Sequence, residues 1–225
     1  MHIEPGIVEG AKMTLGFATA VGAAGYTVKL ATDMARRDGL APLAARVLIA
    51  SVLVLCFFQV LPRYPVGVSE VHFILGSTLF LLFGAAPAAI GLAIGLLAQG
   101  LVFSPWDLPQ YGMNVTTLLV PLFAVSALAQ RIIPANTAYK DVTYAQALKL
   151  SLAFQGGVVL WVGFWAFYGY GATAGTLASV AAFGAAYVSV ILIEPVLDLG
   201  LLAAVKSLSG VSDNKLFHAR LGRAA

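Results

Sequence analysis

The first residues of the chain can form a chelate for a transition metal ion. The α-amine of Met1, the backbone amide of His2 and Nδ1 of the His2 imidazole are consecutive nitrogens, and together they close fused five- and six-membered rings around one ion. A backbone amide loses its proton only to a metal that prefers nitrogen in a planar arrangement. That preference favours nickel or copper, with cobalt behind, and disfavours magnesium and calcium.

A second histidine can complete this site. His72 lies in the stretch VSEVHFILG, where a loop is predicted to enter the third helix on the same side of the membrane as the N-terminus. It would supply a fourth nitrogen. The ordinary alternatives are an adventitious histidine at position 2 and an interfacial hydrogen bond at His72. The third histidine, His218, falls in the polar stretch DNKLFHARLGR and is expected to be solvated.

Other polar residues interrupt the apolar segments. Asn114 follows the loop FSPWDLPQYGM, and it either caps the fifth helix or lines a pocket that opens outward. An ionised carboxylate in the membrane costs about 2.5–3.5 kcal/mol on insertion scales, so we expect Glu194 to be protonated, paired or facing a polar cavity. It could tune a transport cycle, or form a structural pair with Asp198 and Lys206.

The composition determines where these residues must be placed. Hydrophobic residues make up 60% of the 225 positions and charged residues only 10%, whereas soluble domains carry about 25% charge. So little charge cannot cover a surface that faces water, which predicts an integral protein of the lipid bilayer. The net charge of +3 is too small to indicate nucleic acid, and the single cysteine rules out a disulfide framework.

Apolar runs predict an all-α bundle of about seven transmembrane helices, of which the third is too short to span unaided. The stretch Gly84-Ala85-Ala86-Pro87 predicts a tight turn between helices three and four. The domain boundaries that follow are residues 1–210 for a single transmembrane domain and 211–225 for a polar cytoplasmic tail. The predicted spans are Gly10–Ala31, Ala44–Leu61, Val71–Phe83, Ala86–Phe103, Asn114–Ala129, Leu148–Tyr168 and Thr173–Val205.

The basic residues predict the orientation. With the N-terminus outside, eleven lysines and arginines fall on the cytoplasmic side and only Lys12 and Arg63 outside. The chain has no Walker A motif, so any ATP must be used by another chain. It also lacks an evident nucleophile–base pair and facing haem ligands, which disfavours a membrane enzyme or a haem-bearing redox subunit. We therefore expect a non-enzyme without a resident cofactor.

Three stretches carry a resemblance to a known family. MHIEPG resembles the M-H-I-x-x-G start of the CbiM/NikM family, the substrate-binding S components of energy-coupling-factor transporters for cobalt and nickel. The segment VHFILGSTLFLLFGAAPAAIGLAIGLLAQGLVF is similar to the V-H-L-x-G-G segment of that family and the helices after it. YGMN, residues 111–114, matches its L-G-A-N. The resemblance spans nearly the whole chain.

The resemblance implies a function and a set of ligands. Members of the family have seven helices with the N-terminus outside, and they bind the ion through the terminal amine, the amide and imidazole of the second residue, and the histidine of V-H. Those roles would fall on Met1, His2 and His72. A family asparagine that ties down the N-terminal loop maps to Asn114. The cargo would be Co²⁺ or Ni²⁺, between which the residues do not decide.

The resemblance also implies partners and a location. S components associate with a transmembrane coupling subunit, two cytoplasmic ATPases and often a small accessory membrane subunit, here in a bacterial inner membrane. A stand-alone secondary metal permease is the alternative. This chain departs from the pattern at Ser77, which replaces a glycine, at Glu70, and at Ser104-Pro105-Trp106-Asp107, which replaces a G-x-G-G loop. We expect these changes to remodel the outer lid and to affect the choice of metal.

Overall fold

A computed structural model describes residue 3 and residues 5–61, 63–207 and 216–221 of the chain. Seven α-helices occur within these residues, which confirms the predicted all-α membrane fold. The helices are α1 (Met13–Asp38), α2 (Leu40–Gln59), α3 (Gly76–Phe83), α4 (Ala85–Val102), α5 (Tyr111–Ile132), α6 (Tyr144–Tyr170) and α7 (Ala174–Ser207).

Helix length and composition identify the membrane-crossing elements. Five segments of the described chain are long and apolar enough to cross a bilayer: four are α2, α4, α6 and residues 174–204 of α7, and the fifth is α5 with the 3₁₀ helix that precedes it. α1 has 26 residues but is less apolar. α3 has 8 residues and a length of about 12 Å, so the prediction that it cannot span alone is confirmed.

The turn between α3 and α4 has the conformation that the sequence predicts. Gly84 separates the two helices with a φ of 90°, a left-handed value that glycine adopts without steric cost. Its N–H still donates to the Phe80 carbonyl at 2.8 Å, so α3 ends with its last hydrogen bond satisfied. The chain therefore reverses direction within a single residue.

A β-hairpin joins α2 to α3, and here the predicted third helix begins too early. Strands β1 (Arg63–Val66) and β2 (Ser69–His72) are antiparallel, with Arg63 opposite His72. A two-residue loop connects them, in which Gly67 takes a φ of 62°. Val71 and His72 were predicted to be helical, but cross-strand pairing prevails in this stretch, and the helix starts at Gly76.

Close helix contact depends on small residues. A Cβ added to Gly91 or Gly95 of α4 would lie 2.5 Å from the Ala50 or Val54 side chain of α2. In lipid, such close backbone approach replaces the hydrophobic effect as the source of helix association. Large apolar side chains instead cover the outside of the bundle, where Val21, Leu160 and Leu177 are exposed, as expected for a surface that faces lipid.

The alternating helices create two ends of the bundle. The hairpin end carries the N-terminal segment, the β-hairpin, the 3₁₀ helix Pro105–Gln110 and the turn between α6 and α7. The Gly84 end carries the turn at Gly84, the 3₁₀ helix Tyr139–Asp141 and residues 216–221. Of the residues predicted to serve the metal, the described ones, His72 and Asn114, lie at the hairpin end.

Candidate functional site

The N-terminal segment is held inside the hairpin end of the bundle. The backbone N–H of Ile3 donates to Oδ1 of Asn114 at 2.6 Å, across 111 positions of sequence. Ile3, Ile7 and Val8 are all buried and belong to the hydrophobic core. Met1 and His2 lie outside the described residues. The structure thus fixes the chain at the position that directly follows His2.

Asn114 acts differently from a helix cap. α5 begins at Tyr111, three residues earlier, and Gln110 occupies the capping position without a side-chain bond. The capping interpretation is therefore wrong, because the amide of Asn114 accepts its hydrogen bond from the N-terminal segment instead. The Asn114 side chain is 1% exposed, so this bond is shielded from water.

A second set of contacts docks the N-terminal segment onto α6. The Lys12 ammonium donates to the carbonyls of Tyr168 and Gly169 at 2.9 and 3.2 Å, at the end of the helix where cations are favoured. The carbonyl of Ile7 approaches Gly169 so closely that an added Cβ would lie only 1.9 Å away. Glycine is required at this position because any side chain would displace the segment.

His72 is the last residue of β2 and is 1% exposed. Its ring packs edge-to-face on Phe58 of α2, with centroids 5.8 Å apart. Nδ1 lies 3.4 Å from the backbone oxygen of Glu70, and Nε2 lies 3.5 Å from the Glu70 carboxylate. The Glu70 carboxylate thus places a negative charge beside this buried ring. His72 is thus a buried strand residue and not the helical residue predicted.

The structure brings His72, Asn114 and Ile3 to one end of the bundle. Among the described residues, no three histidine, cysteine or acidic side chains converge as a metal site by themselves. The ligand set Met1, His2 and His72 stays a prediction, because Met1 and His2 lie outside the described residues.

The departure from the family loop forms a 3₁₀ helix over Pro105–Gln110. Ser104 and Gln110 are buried at its ends, while Trp106 is 65% exposed. Its first turn is linked to α4 because Ser104 N–H donates to the Gln99 carbonyl at 3.0 Å. Whether this segment closes over an ion stays a prediction.

The two acids of α7 face the protein interior. Glu194 and Asp198 are fully buried, and hydroxyl groups of α3 and α6 donate to them. The sequence had offered Lys206 as their partner, but its side chain lies outside the described part of the chain. Sequence reasoning missed Ser77, Thr78 and Ser151 as partners. The sequence signal that could have identified them is the presence of hydroxyl residues within the otherwise apolar helices α3 and α6.

His218 is packed at the Gly84 end, so the expectation that it is solvated is wrong. Its backbone N–H donates to the Leu82 carbonyl at 2.7 Å, and its ring stacks on Tyr139 with centroids 5.2 Å apart. Burial, together with the nearby charges of Arg46 and Arg37, lowers the pKa of His218 to about 4. The ring also borders a cavity of about 270 Å³ that Asp33 and Gln130 help to line.

Comparison with known proteins agrees with this architecture. A family model described as CbiM, cobalt uptake substrate-specific transmembrane region, matches residues 2–210. A solved structure titled as the crystal structure of a transition metal transporter superposes with a TM-score of 0.75 at 15% identity, covering 92% of each chain. At that identity the likeness concerns the fold alone. A search of curated proteins finds no match.

Proposed function

Because this chain belongs to the cobalt uptake substrate-specific transmembrane region family, we propose that it is the ion-binding membrane component of an importer for cobalt or nickel. The family and the shared fold make it a multi-pass membrane component for metal uptake. The proposal adds three points: the ion is cobalt or nickel, specific nitrogen atoms bind it, and partner ATPases drive its import.

The ligands in this proposal are nitrogens of three residues. The Met1 amine, the His2 amide and the His2 imidazole chelate the ion, and His72 completes a four-coordinate site. Asn114 positions the chelate by holding the chain at Ile3. This set suits late divalent metals, which prefer imidazole and deprotonated amide to carboxylate or water.

The hydrogen bond from Ile3 N–H to Asn114 Oδ1 carries the proposal. A chain end is normally frayed, yet here the residue next to His2 is fully buried and bonded to α5. Lys12 and the close contact at Gly169 hold the segment at its other end. A segment restrained at both ends can present a preorganised chelate, which lowers the cost of ordering it upon binding.

Import further requires partners in this proposal. The chain would capture the ion outside, with its N-terminus on that face of a bacterial inner membrane. It would then deliver the ion inward together with a coupling membrane subunit, two ATPases and, in some assemblies, a small accessory membrane subunit. Metal uptake by cells that express this chain alone would instead indicate a secondary permease.

The decisive experiment displaces the amine. The full chain, purified in detergent with its native N-terminus, is expected to bind one nickel or cobalt ion per molecule. One uncleaved residue added before Met1 should abolish stoichiometric binding, because the amine then leaves the chelate. Residues added after Ala225 provide the matched control and should leave the metal content unchanged. Normal binding by the N-terminally extended chain would refute the proposed site.

His72 offers an independent test of the same site. His72→Ala should lose tight metal binding, because only three of the four proposed nitrogen ligands remain. The chain should stay folded. His218→Ala removes a histidine from the opposite end and should retain full metal content. Full metal content in both variants would exclude His72 as a ligand.

A further inference from the structure

A buried polar cluster lies where α3, α6 and α7 meet, apart from the residues assigned to the metal. None of its members is more than 2% exposed. Hydrogen bonds connect them across more than 100 positions of sequence. The members are Ser77 and Thr78 of α3, Ser151 and Gln155 of α6, and Glu194 and Asp198 of α7.

The hydroxyl of Ser77 bridges the two acids. Its oxygen lies 3.2 Å from Oε1 of Glu194 and 2.9 Å from Oδ2 of Asp198. A serine hydroxyl carries one hydrogen, and an ionised carboxylate can only accept. With both acids ionised, one of these two contacts would therefore hold no hydrogen. A single proton on either acid resolves this, because that acid donates to Ser77 and Ser77 donates to the other.

The remaining partners are neutral donors. Ser151 donates to Oε2 of Glu194 at 2.6 Å, Gln155 donates to the same oxygen at 3.0 Å, and Thr78 donates to Asp198. Glu194 and Asp198 are one helical turn apart, where like charges repel, and burial strengthens that repulsion. Neutral donors cannot cancel two negative charges, so an added proton or other cation would stabilise the pair.

Among the described side chains, those that face the pair from α3 and α6 are neutral, and the Lys206 side chain lies outside the described residues. Within the described chain, no salt bridge reaches Glu194 or Asp198. α3 and α6 face the pair with neutral groups, and the Tyr187 phenol on α7 interacts with Glu194 electrostatically. β1, β2 and the 3₁₀ helix Tyr139–Asp141 also pack against α7. The titratable or charged residues that they carry are Arg63, Glu70, His72, Lys140 and Asp141.

An unsatisfied amide points to the same conclusion. Oε1 of Gln155 is fully buried and has no hydrogen-bond partner, although Nε2 of the same amide contacts Glu194. Leaving a buried acceptor unpaired costs about 1–3 kcal/mol. If the amide rotates, its Oε1 faces Oε2 of Glu194, which gives the single proton an alternative position there instead of on the Oε1 of Glu194 that faces Ser77. The cluster therefore has an acceptor available for one more hydrogen.

We propose that Glu194 and Asp198 together bind one proton at neutral pH, shared through the Ser77 hydroxyl, and that this proton clamps α7 to α3 and α6. Ser77 stands where the family pattern has glycine, so this residue builds the bridge in this chain. It also lies in the first turn of α3, shortly after the strand that ends at His72. The clamp thus supports the segment that carries His72 without using the metal ligands.

Infrared spectroscopy tests for the proton directly. The full chain in lipid nanodiscs at neutral pH should show the C=O stretch of a protonated carboxylic acid, shifted in D₂O. The double variant Glu194→Gln, Asp198→Asn should lose this band, since the amides fill the same space without a carboxyl. Asp33→Asn removes an exposed acid as the matched control and should keep it. No band in the wild type, or a band that persists in the double variant, would overturn the proposal.

Thermal unfolding provides a second readout. Raising the pH should remove the shared proton and leave two buried charges, so the wild-type midpoint should fall while that of the double variant stays level. Replacing choline with sodium at fixed pH should change nothing. A sodium-dependent rise, or equal pH dependence of both proteins, would overturn the proton assignment. Nickel content measured in the same samples should stay at the wild-type level, which keeps this test separate from that of the metal site.

Discussion

The two described histidines occupy opposite ends of the bundle in opposite electrostatic surroundings. His72 lies at the hairpin end beside the Glu70 carboxylate. His218 lies at the Gly84 end, where Arg46 and Arg37 act on a ring that is already poorly solvated. Both rings pack on aromatic side chains, although His72 is fully buried and His218 is half-buried. The two rings thus differ in the charge of the groups beside them, a carboxylate at His72 and mainly guanidinium groups at His218.

The ends differ also in what a chain terminus does there. At the hairpin end, the N-terminal segment is anchored by Asn114 and carries the predicted chelate with it. At the Gly84 end, Tyr139 and Lys140 donate backbone hydrogen bonds to Arg220 and Leu221 at 2.8 and 3.0 Å. The first contact anchors the segment that precedes α1, whereas the second ties residues 216–221 to the loop between α5 and α6.

The largest effect on metal binding at the hairpin end should come from displacing the N-terminal segment. Gly169→Ala places a Cβ 1.9 Å from the Ile7 carbonyl, so the segment must shift. We expect nickel affinity to fall about 100-fold, the upper range for residues that orient metal ligands. Isothermal titration of the purified chain measures it. Gly22→Ala, where a Cβ meets nothing within 4 Å, is the matched control.

The next largest effect should come from Asn114. Asn114→Ala leaves the Ile3 N–H buried without its acceptor, which we expect to cost about 1–3 kcal/mol of stability and about 10- to 100-fold in nickel affinity. Asn114→Asp keeps an acceptor oxygen and should restore most of that affinity. If the aspartate variant binds as poorly as the alanine variant, the hydrogen bond is not what positions the chelate.

At the Gly84 end, the same kind of change should affect stability and leave metal binding intact. The folded protein holds His218 neutral down to a pKa of about 4, whereas the unfolded chain takes up a proton near pH 6.5. Stability is therefore complete above about pH 6.5 and decreases as the pH falls toward 4. We expect the wild type to lose about 3 kcal/mol over this interval, at about 1.4 kcal/mol per unit of pKa.

Denaturant unfolding between pH 4 and 7 measures that loss. His218→Gln removes the titrating group, so its stability should change less over the same interval. Its nickel content should match that of the wild type. A variant with an undiminished pH dependence would show that a group other than His218 carries the proton uptake.

The smallest expected effect concerns the charge beside His72. Glu70→Gln removes the carboxylate 3.5 Å from Nε2 but keeps a side chain of the same shape. Because Glu70 is partly exposed, we expect nickel affinity to fall only about two- to five-fold, equivalent to about 0.4–1 kcal/mol. Raising the salt concentration should reduce the difference. An unchanged affinity at low salt would show that the Glu70 carboxylate does not contribute to nickel binding.

Local features of the molecule were predictable from sequence. The helices follow from apolar runs. The shortness of α3 follows from the stretch Gly84-Ala85-Ala86-Pro87, which ends its apolar run. The Gly84 turn follows from a residue that tolerates positive φ. Each property depends on neighbours within a few positions. The terminal histidine and the V-H motif were also recognisable, because a terminal chelate needs no tertiary contact to be chemically plausible.

Only the tertiary structure decided which residues meet. Asn114 bonds to Ile3 across 111 positions and Ser77 to Asp198 across 121, and His218 is buried against α3. These contacts depend on how the helices pack. The hydrophobic periodicity of one helix does not indicate which polar atom of another helix will face it. The hairpin was missed for the same reason, since cross-strand pairing competes with helix formation only when both strands are present. The sequence thus determined the helices and the chemistry available to them, and packing determined which polar groups share one buried site.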